Sequence, residues 1–263
     1  RMDSNMKTCL IIGSGQLGSR HLQGLVKYSG QLEIYVLDPS IDSLKVAEER
    51  ENEIIHNHEV IYTQSWEALP DFFDIVIVAT NANIRESVIR KLLEHHKVDY
   101  LGVAFADEGI SLKNAGIQLP IMVLNPESTS FSAIIQHQLE PEIYSIKGLK
   151  AFLKIAEQKN LHQFPIHIKL DTGMHRLGFE ANTINELITT LKGNQRVVVK
   201  SILSHMATSD SMDNRDFALY QIQLFEKLSS KIISELNITP IRHLLNTSEI
   251  GRASCRERVS SPV

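Results

Sequence analysis

The sequence predicts an α/β protein in two parts, an open parallel sheet followed by an incomplete (β/α) barrel. Three observations predict it. Short apolar runs alternate with helical patterns along the chain. A glycine-rich turn, "GSGQLG" at residues 13–18, separates the first apolar run from the first helical pattern. From Tyr100 onward the strand-plus-helix units recur at roughly 20–25 residues, a period that suits a barrel wall better than an open sheet.

Lys7–Ile12 reads as a buried strand, and residues 16–28 as a helix with Leu17, Leu22 and Leu25 along one face. Leu32–Asp38 is a second strand, "SLKVAEEREN" a polar helix, Asp74–Thr80 a third strand and "NIRESVIRKLLEHH" the helix after it. Strands alternating with crossover helices make a Rossmann-like parallel sheet. Beyond Tyr100 come further strand candidates, "YLGVAF", "PIMVLN", "EIYSI", "PIHIKLD", "VVVKSILSHM" and "IRHLLNTS". Together they read as the middle of a TIM-type barrel. The clearest helix between them covers residues 214–237, where Phe217, Tyr220, Leu224, Leu228, Ile232 and Leu236 form one amphipathic stripe. No linker rich in proline or glycine separates the parts, because "EHHKVDYLG" runs straight through the join. The expected division is residues 1–98, residues 99–248 and a tail of residues 249–263.

At 263 residues, with 43% hydrophobic and 22% charged, the chain has material for a sizeable core. A net charge of −4 and a pI near 6.3 speak against a nucleic-acid or anionic-membrane partner. No apolar run is long enough for a membrane span, and no charged-then-apolar leader precedes Cys9. Cys9 and Cys255 are too few and too far apart for a disulfide framework. The expected setting is a reducing cytoplasm, and no metal site is expected.

Gly13, Gly15 and Gly18 give G-x-G-x-x-G between a strand and a helix. The first permits the tight turn, the second lets a pyrophosphate approach the backbone, and the third lets helix and strand pack closely. The helix start offers free N–H groups to the phosphates. Asp38 ends the next strand, where an acid accepts from ribose hydroxyls. NAD is expected over NADP, since Asp38 repels a 2′-phosphate and no arginine follows in "DPSIDS". The stretch Lys7–Lys97 resembles the N-terminal domain of the Gfo/Idh/MocA oxidoreductases, through "IIGSGQLGSRHLQGL", "YVLDPS" and "DIVIVATNA". That resemblance implies that Thr80 and Asn81 border the nicotinamide side. The family's Glu-Lys-Pro motif, whose lysine works at the hydride-transfer site, occurs nowhere downstream.

In "HIKLDTGMHRLGF", Lys169 lies within a predicted strand and Arg176 just past its end, two cations that suit an anionic substrate or a phosphate-bearing cofactor. His205 ends the next strand, and Asn246, Thr247 and Ser248 the one after. Polar groups at successive strand ends mark where barrels place chemistry. With "SILSHMATSD" and "HLLNTS", the block resembles the pyridoxal-phosphate (PLP) barrel of alanine racemases over about Asp99 to Ser248. The resemblance implies an isomerase acting on alanine and assembling as a homodimer. In it Lys169 is carboxylated and bonds Arg176, His205 lies against the pyridine ring, and Thr247 and Ser248 sit near the cofactor phosphate beside Asn246. D-threonine aldolase, with a similar Asp-Thr-Gly-x-x-Arg-x-Gly pattern, is the related alternative.

The racemases' Ala-Val-Val-Lys-Ala-Asn-Ala-Tyr-Gly block, which carries the Schiff-base lysine, is missing. Their C-terminal tyrosine domain would follow where this chain stops. The tail "EIGRASCRERV" resembles a translated sequencing adapter. One reading is therefore a chimeric reading frame without activity, an oxidoreductase cofactor domain joined to a racemase barrel fragment. A genuine two-domain Gfo/Idh/MocA oxidoreductase, the other reading, needs a mainly antiparallel sheet after Tyr100. A third is a cofactor-binding module without chemistry.

Overall fold

The computed structural model describes residues 7–28, 31–96, 98–205 and 215–244. They fall into two compact units, one ending at Val98 and one beginning at Asp99. In the first unit the chain runs β1 (Lys7–Ile12), α1 (Gln16–Leu25), β2 (Leu32–Leu37), α2 (Ile41–Glu51), β3 (Glu59–Thr63), β4 (Ile75–Val78) and α3 (Ala82–His95). Its sheet has the order β3-β2-β1-β4, with every pairing parallel. Side chains alternate across β1, so its two faces build two cores. Cys9 and Ile11 pack with Leu22, Leu25, Ile34 and Leu44, whereas Leu10 and Ile12 pack with Tyr35, Leu37, Phe73 and Leu92. Burial, helped by the charge of Asp74, pushes the Cys9 thiol up to about 11, which suits a packing residue and not a reactive thiol.

Two readings of this unit change. The sequence pattern missed β3, "EVIYT", because as an edge strand it is at most half-buried and so lacks a solid apolar run. Leu17 does not share the face of Leu22 and Leu25; it is 61% exposed while they are buried. At about 100° per residue, positions 17 and 22 point some 140° apart.

The second unit runs β5 (Leu101–Val103), α4 (Ala106–Asn114), β6 (Ile121–Val123), α5 (Phe131–Gln136), β7 (Glu140–Ile143), α6 (Ile146–Gln158), β8 (Phe164–Leu170), α7 (Ile184–Leu191), β9 (Val197–Ser204), α8 (Arg215–Leu236) and β10 (Ile241–Leu244). Its strands pair in strict chain order, β5 to β10, and all are parallel. Sequential parallel strands joined by helices are the wall of a barrel, here a curled half-barrel. The expected α/β class, parallel sheet then incomplete barrel, is the observed one. The stripe on α8 is shifted from the expected one. Gln221, Phe225, Leu228, Ser229 and Ile232 are buried, whereas Tyr220 is exposed. Among the described residues no helix is long and apolar enough to cross a membrane.

One irregularity sets up the barrel interior. Between β8 and β9 the register shifts after Ile166, so that His167 stands opposite Ser201 and Lys200 is the extra residue. Such a bulge re-aims every following side chain. Lys200 is thereby left exposed, and Ser201 and Leu203 come level with His167 and Lys169.

Candidate functional site

The turn after β1 has the geometry of a dinucleotide loop. Gly13 adopts φ +93°, open to few other residues. A Cβ on it would meet the Ala79 carbonyl oxygen at 2.8 Å, and a Cβ on Gly18 would meet the Gly13 carbonyl at 1.8 Å. Gly15 has nothing within 4 Å, the open approach that a pyrophosphate needs. Two hydroxyls around this space, Ser14 Oγ and Thr80 Oγ1, are buried with no partner among the described residues. Thr80 and Asn81 follow the end of β4, with Asn81 the N-cap of α3 and the Thr80 Cγ2 3.1 Å from where a Cβ on Gly13 would stand. These features fit a dinucleotide.

Asp38 does more than the sequence indicated. Its Oδ2 accepts from the Ser14 N–H at 2.7 Å and its Oδ1 from the Ser40 N–H at 2.8 Å. The carboxylate thus ties the glycine loop to the end of β2, and each oxygen keeps a further lone pair for a ligand hydroxyl.

In the barrel unit, β8, β9 and β10 end in register, with Leu170 and Leu244 both level with Ser204. The loop after β8 is folded by Asp171, whose Oδ1 accepts from the N–H groups of Gly173 and His175 at 2.9 and 3.1 Å. Phe179, 1% exposed, anchors its far end, donating its N–H to the Lys169 carbonyl at 2.8 Å. Gly178 has φ +139°, and a Cβ there would lie 2.4 Å from the Asp171 nitrogen. Thr172 Oγ1 and Ser204 Oγ are 2.9 Å apart. Asp171 and Thr172 therefore build the mouth.

At that mouth Lys169 Nζ donates to Glu142 Oε1 at 3.0 Å, with side chains 10% and 0% exposed. Glu142 was not among the expected residues; "EIYSI" reads simply as a strand, and only its pairing with β8 reveals the partner. Burial pushes the Glu142 carboxyl up to about 7, against the opposing pull of Lys169 and Arg176. Arg176 itself is exposed. Burial first, then the charges of Lys169 and Arg176, hold His205 below its ordinary value. The structure thus brings Lys169 and Arg176 within electrostatic reach of His205, while Asn246, Thr247 and Ser248 lie outside the described residues. A cavity of about 270 Å³ lies beside Glu142, lined also by Ser128, Phe131, Tyr144, Ser145 and Lys147. Small-ligand pockets usually measure roughly 300–1,000 Å³. The described barrel strands begin at β5, after the strand to which the resemblance gives the Schiff-base lysine, so this arrangement does not fit covalently held pyridoxal phosphate.

Below the mouth lies a polar layer, buried at Glu140, His167 and Ser201 and half-buried at Tyr100 and His243. Tyr100 Oη donates to Glu140 and stands 3.1 Å from His167 Nε2, which is 3.0 Å from Glu140 Oε2. His167 Nδ1 is 2.8 Å from Ser201 Oγ, which in turn is 3.2 Å from His243 Nε2. Burial, and then His167, push His243 down to about 4. A base depressed when folded binds its proton on unfolding. Stability is therefore expected to fall as pH drops from about 6.5 through the folded value. Urea midpoints between about pH 7 and pH 4.5 should drop more steeply for the native chain than for His243→Gln. Parallel curves would show that the imidazole is charged in the fold.

A family model for the alanine racemase N-terminal domain matches residues 84–259, and one described as putative NAD(P)-binding matches residues 1–105. Alanine racemase 1 of Caldanaerobacter subterraneus subsp. tengcongensis is 31% identical over 166 residues, which are 62% of this chain and 42% of that protein. The solved alanine racemase of Clostridium difficile is 28% identical with a TM-score of 0.56, over 62% of this chain and 45% of that one. The alanine racemase of Bartonella henselae, solved with covalently bound pyridoxal phosphate, shares the fold with a TM-score of 0.53 at 22% identity, over 64% of this chain and 47% of that one. The chain spans less than half the length of these relatives. The racemase model covers more than half of the chain, and the protein belongs to the alanine racemase N-terminal domain family.

Proposed function

We propose that the chain is a fusion of a nicotinamide-dinucleotide-binding domain, residues 1–98, of the Gfo/Idh/MocA oxidoreductase kind, with a racemase-type barrel segment, residues 99–248. It would carry an adapter-derived tail, residues 249–263, and would not racemise alanine. One observation carries this reading. Directly before β5 stands a parallel sheet with a dinucleotide loop, where the racemase resemblance puts the strand bearing the Schiff-base lysine. The alternative of a two-domain oxidoreductase needs an antiparallel second sheet, and β5 to β10 are all parallel. The D-threonine aldolase alternative rests on the Asp-Thr-Gly block alone, whereas the family match is to the alanine racemase N-terminal domain.

In the first unit, bound NAD would supply a hydride acceptor. The N–H groups at the start of α1 would hold its pyrophosphate, Asp38 its ribose, and Thr80 with Asn81 would border the nicotinamide. Titration of the full chain is expected to give NAD binding at least tenfold tighter than NADP, because the buried Asp38 carboxylate repels a 2′-phosphate. Equal affinities would remove Asp38 from the ribose site.

In the barrel unit, a general base alone is worth roughly two to four orders of magnitude, and the covalent anchor is lost as well. Adding pyridoxal phosphate to the full chain is expected to give no borohydride-reducible band and no D-alanine above a cofactor-only control. A reducible adduct at one defined lysine, with turnover, would return the chain to the active racemases.

A further inference from the structure

A buried lysine amine has two chemical fates. Left neutral, its nitrogen lone pair attacks the carbon of carbon dioxide. A C–N bond forms, one C=O π pair moves onto oxygen, and an N–H proton leaves to water, giving an N-carboxylate with one negative charge. Held as an ammonium, it has no lone pair to offer.

Lys169 is placed for the second fate. Its Nζ donates to Glu142 Oε1 at 3.0 Å, from a side chain 10% exposed to one that is fully buried. A carboxylate added to Nζ would stand next to the Glu142 carboxylate, two like charges in a shielded site. Glu142 also comes from the neighbouring strand β7, where its backbone partner on β8 is His167; Lys169, two residues further along β8, points to the same face, so the two side chains meet on the diagonal. Its other oxygen, Oε2, is buried with no partner among the described residues.

We propose that Glu142 holds Lys169 as an unmodified ammonium and is itself the anion of the barrel mouth, so that the lysine carboxylation implied by the racemase resemblance does not take place in this chain. Glu142 is a positioning residue. Its Oε1 fixes Lys169, and its Oε2 is left as an acceptor beside the cavity. The other charged or titratable groups acting there are Arg176, His205 and Tyr144.

The test uses the full chain. Equilibrated with carbon-13 bicarbonate at about pH 8, below the ordinary lysine pKa, the native chain is expected to give no lysine carbamate resonance. Competitive labelling with acetic anhydride, read by peptide mass spectrometry, then compares lysines. Lys169 is expected to label about tenfold faster in Glu142→Gln than in the native chain, since the carboxylate that holds its proton is gone. Exposed Lys150 and Lys192 should keep their rates, and Glu142→Asp should restore the native rate at Lys169. A carbamate on native Lys169, or equal Lys169 rates in the native and Glu142→Gln chains, overturns the proposal. The native spectrum decides even if a variant fails to fold.

Discussion

Lys169→Met is expected to cost about 3–5 kcal/mol of unfolding free energy, since it strands a buried carboxylate without its partner. The loss should deepen with pH. With its cation gone the Glu142 carboxyl moves further above its unfolded value, and a raised acid stabilises the fold only below the unfolded pKa of about 4.5. Stability is then lost as pH rises through the folded value, which stands at about 7 even with Lys169 present. Urea denaturation followed by circular dichroism at about pH 5 and pH 8 measures both effects. Adding Glu142→Gln to the same chain should recover most of the loss, because two neutral side chains of similar size leave no unpaired charge. A loss below about 1 kcal/mol at the higher pH would place the pair in the range of exposed ion pairs, and its burial would then carry no energetic weight.

The other large effect separates two glycines that look alike in the motif. Gly18→Ala puts a Cβ 1.8 Å from the Gly13 carbonyl oxygen, so α1 has to move away from β1. That overpacking is expected to cost about 3 kcal/mol and to abolish dinucleotide binding. Gly15→Ala meets nothing within 4 Å and should leave stability unchanged, yet weaken NAD by about tenfold by filling the space the pyrophosphate needs. The chain's single tryptophan, Trp66, packs half-buried against the core of the same unit, so its fluorescence reports that unit's unfolding directly. If Gly15→Ala binds NAD as well as the native chain does, the loop is a packing turn and not a cofactor cradle.

Much of this fold was legible because it rests on local pattern. Apolar runs such as "CLII" and "IHIKL" are buried on both faces of parallel sheets, and the helices between them carry clear stripes. What escaped was non-local. Strand β3 offers no apolar run because it is an edge. The α8 stripe lies beside its expected line because Gln221 and Ser229 are buried there with Phe225, and polarity alone suggested the opposite. At the site, the three glycines could be placed from spacing, since Gly18 answers to the Gly13 carbonyl, Gly13 to the Ala79 carbonyl just past β4, and Gly15 to open space. Glu142 could not. It stands 27 residues from Lys169, and only the pairing of β7 with β8 puts them in contact. Asp38 was readable as an acid near the loop, but its two backbone N–H partners were not.

The polar layer of Tyr100, Glu140, His167, Ser201 and His243 has a consequence for how the half-barrel assembles. Each member arrives on a different segment of the sheet, so the layer closes only when all the strands carrying it hold the correct offset. Sliding one of them by a residue replaces its side chain with an apolar neighbour or, at Tyr100, Ser201 and His243, with Asp99, Lys200 or Arg242, and strands the neighbours, at about 1–3 kcal/mol for each donor or acceptor left unmet. Apolar contacts are far more forgiving of such a slip, because isoleucine, leucine and valine at adjacent positions fill similar volumes. The bulge at Lys200 in β9 is part of the same device, since without that shift of register His167 would stand opposite Lys200 in place of Ser201. The layer therefore works as a lock whose pins are set on separate strands, and a misaligned sheet leaves it open.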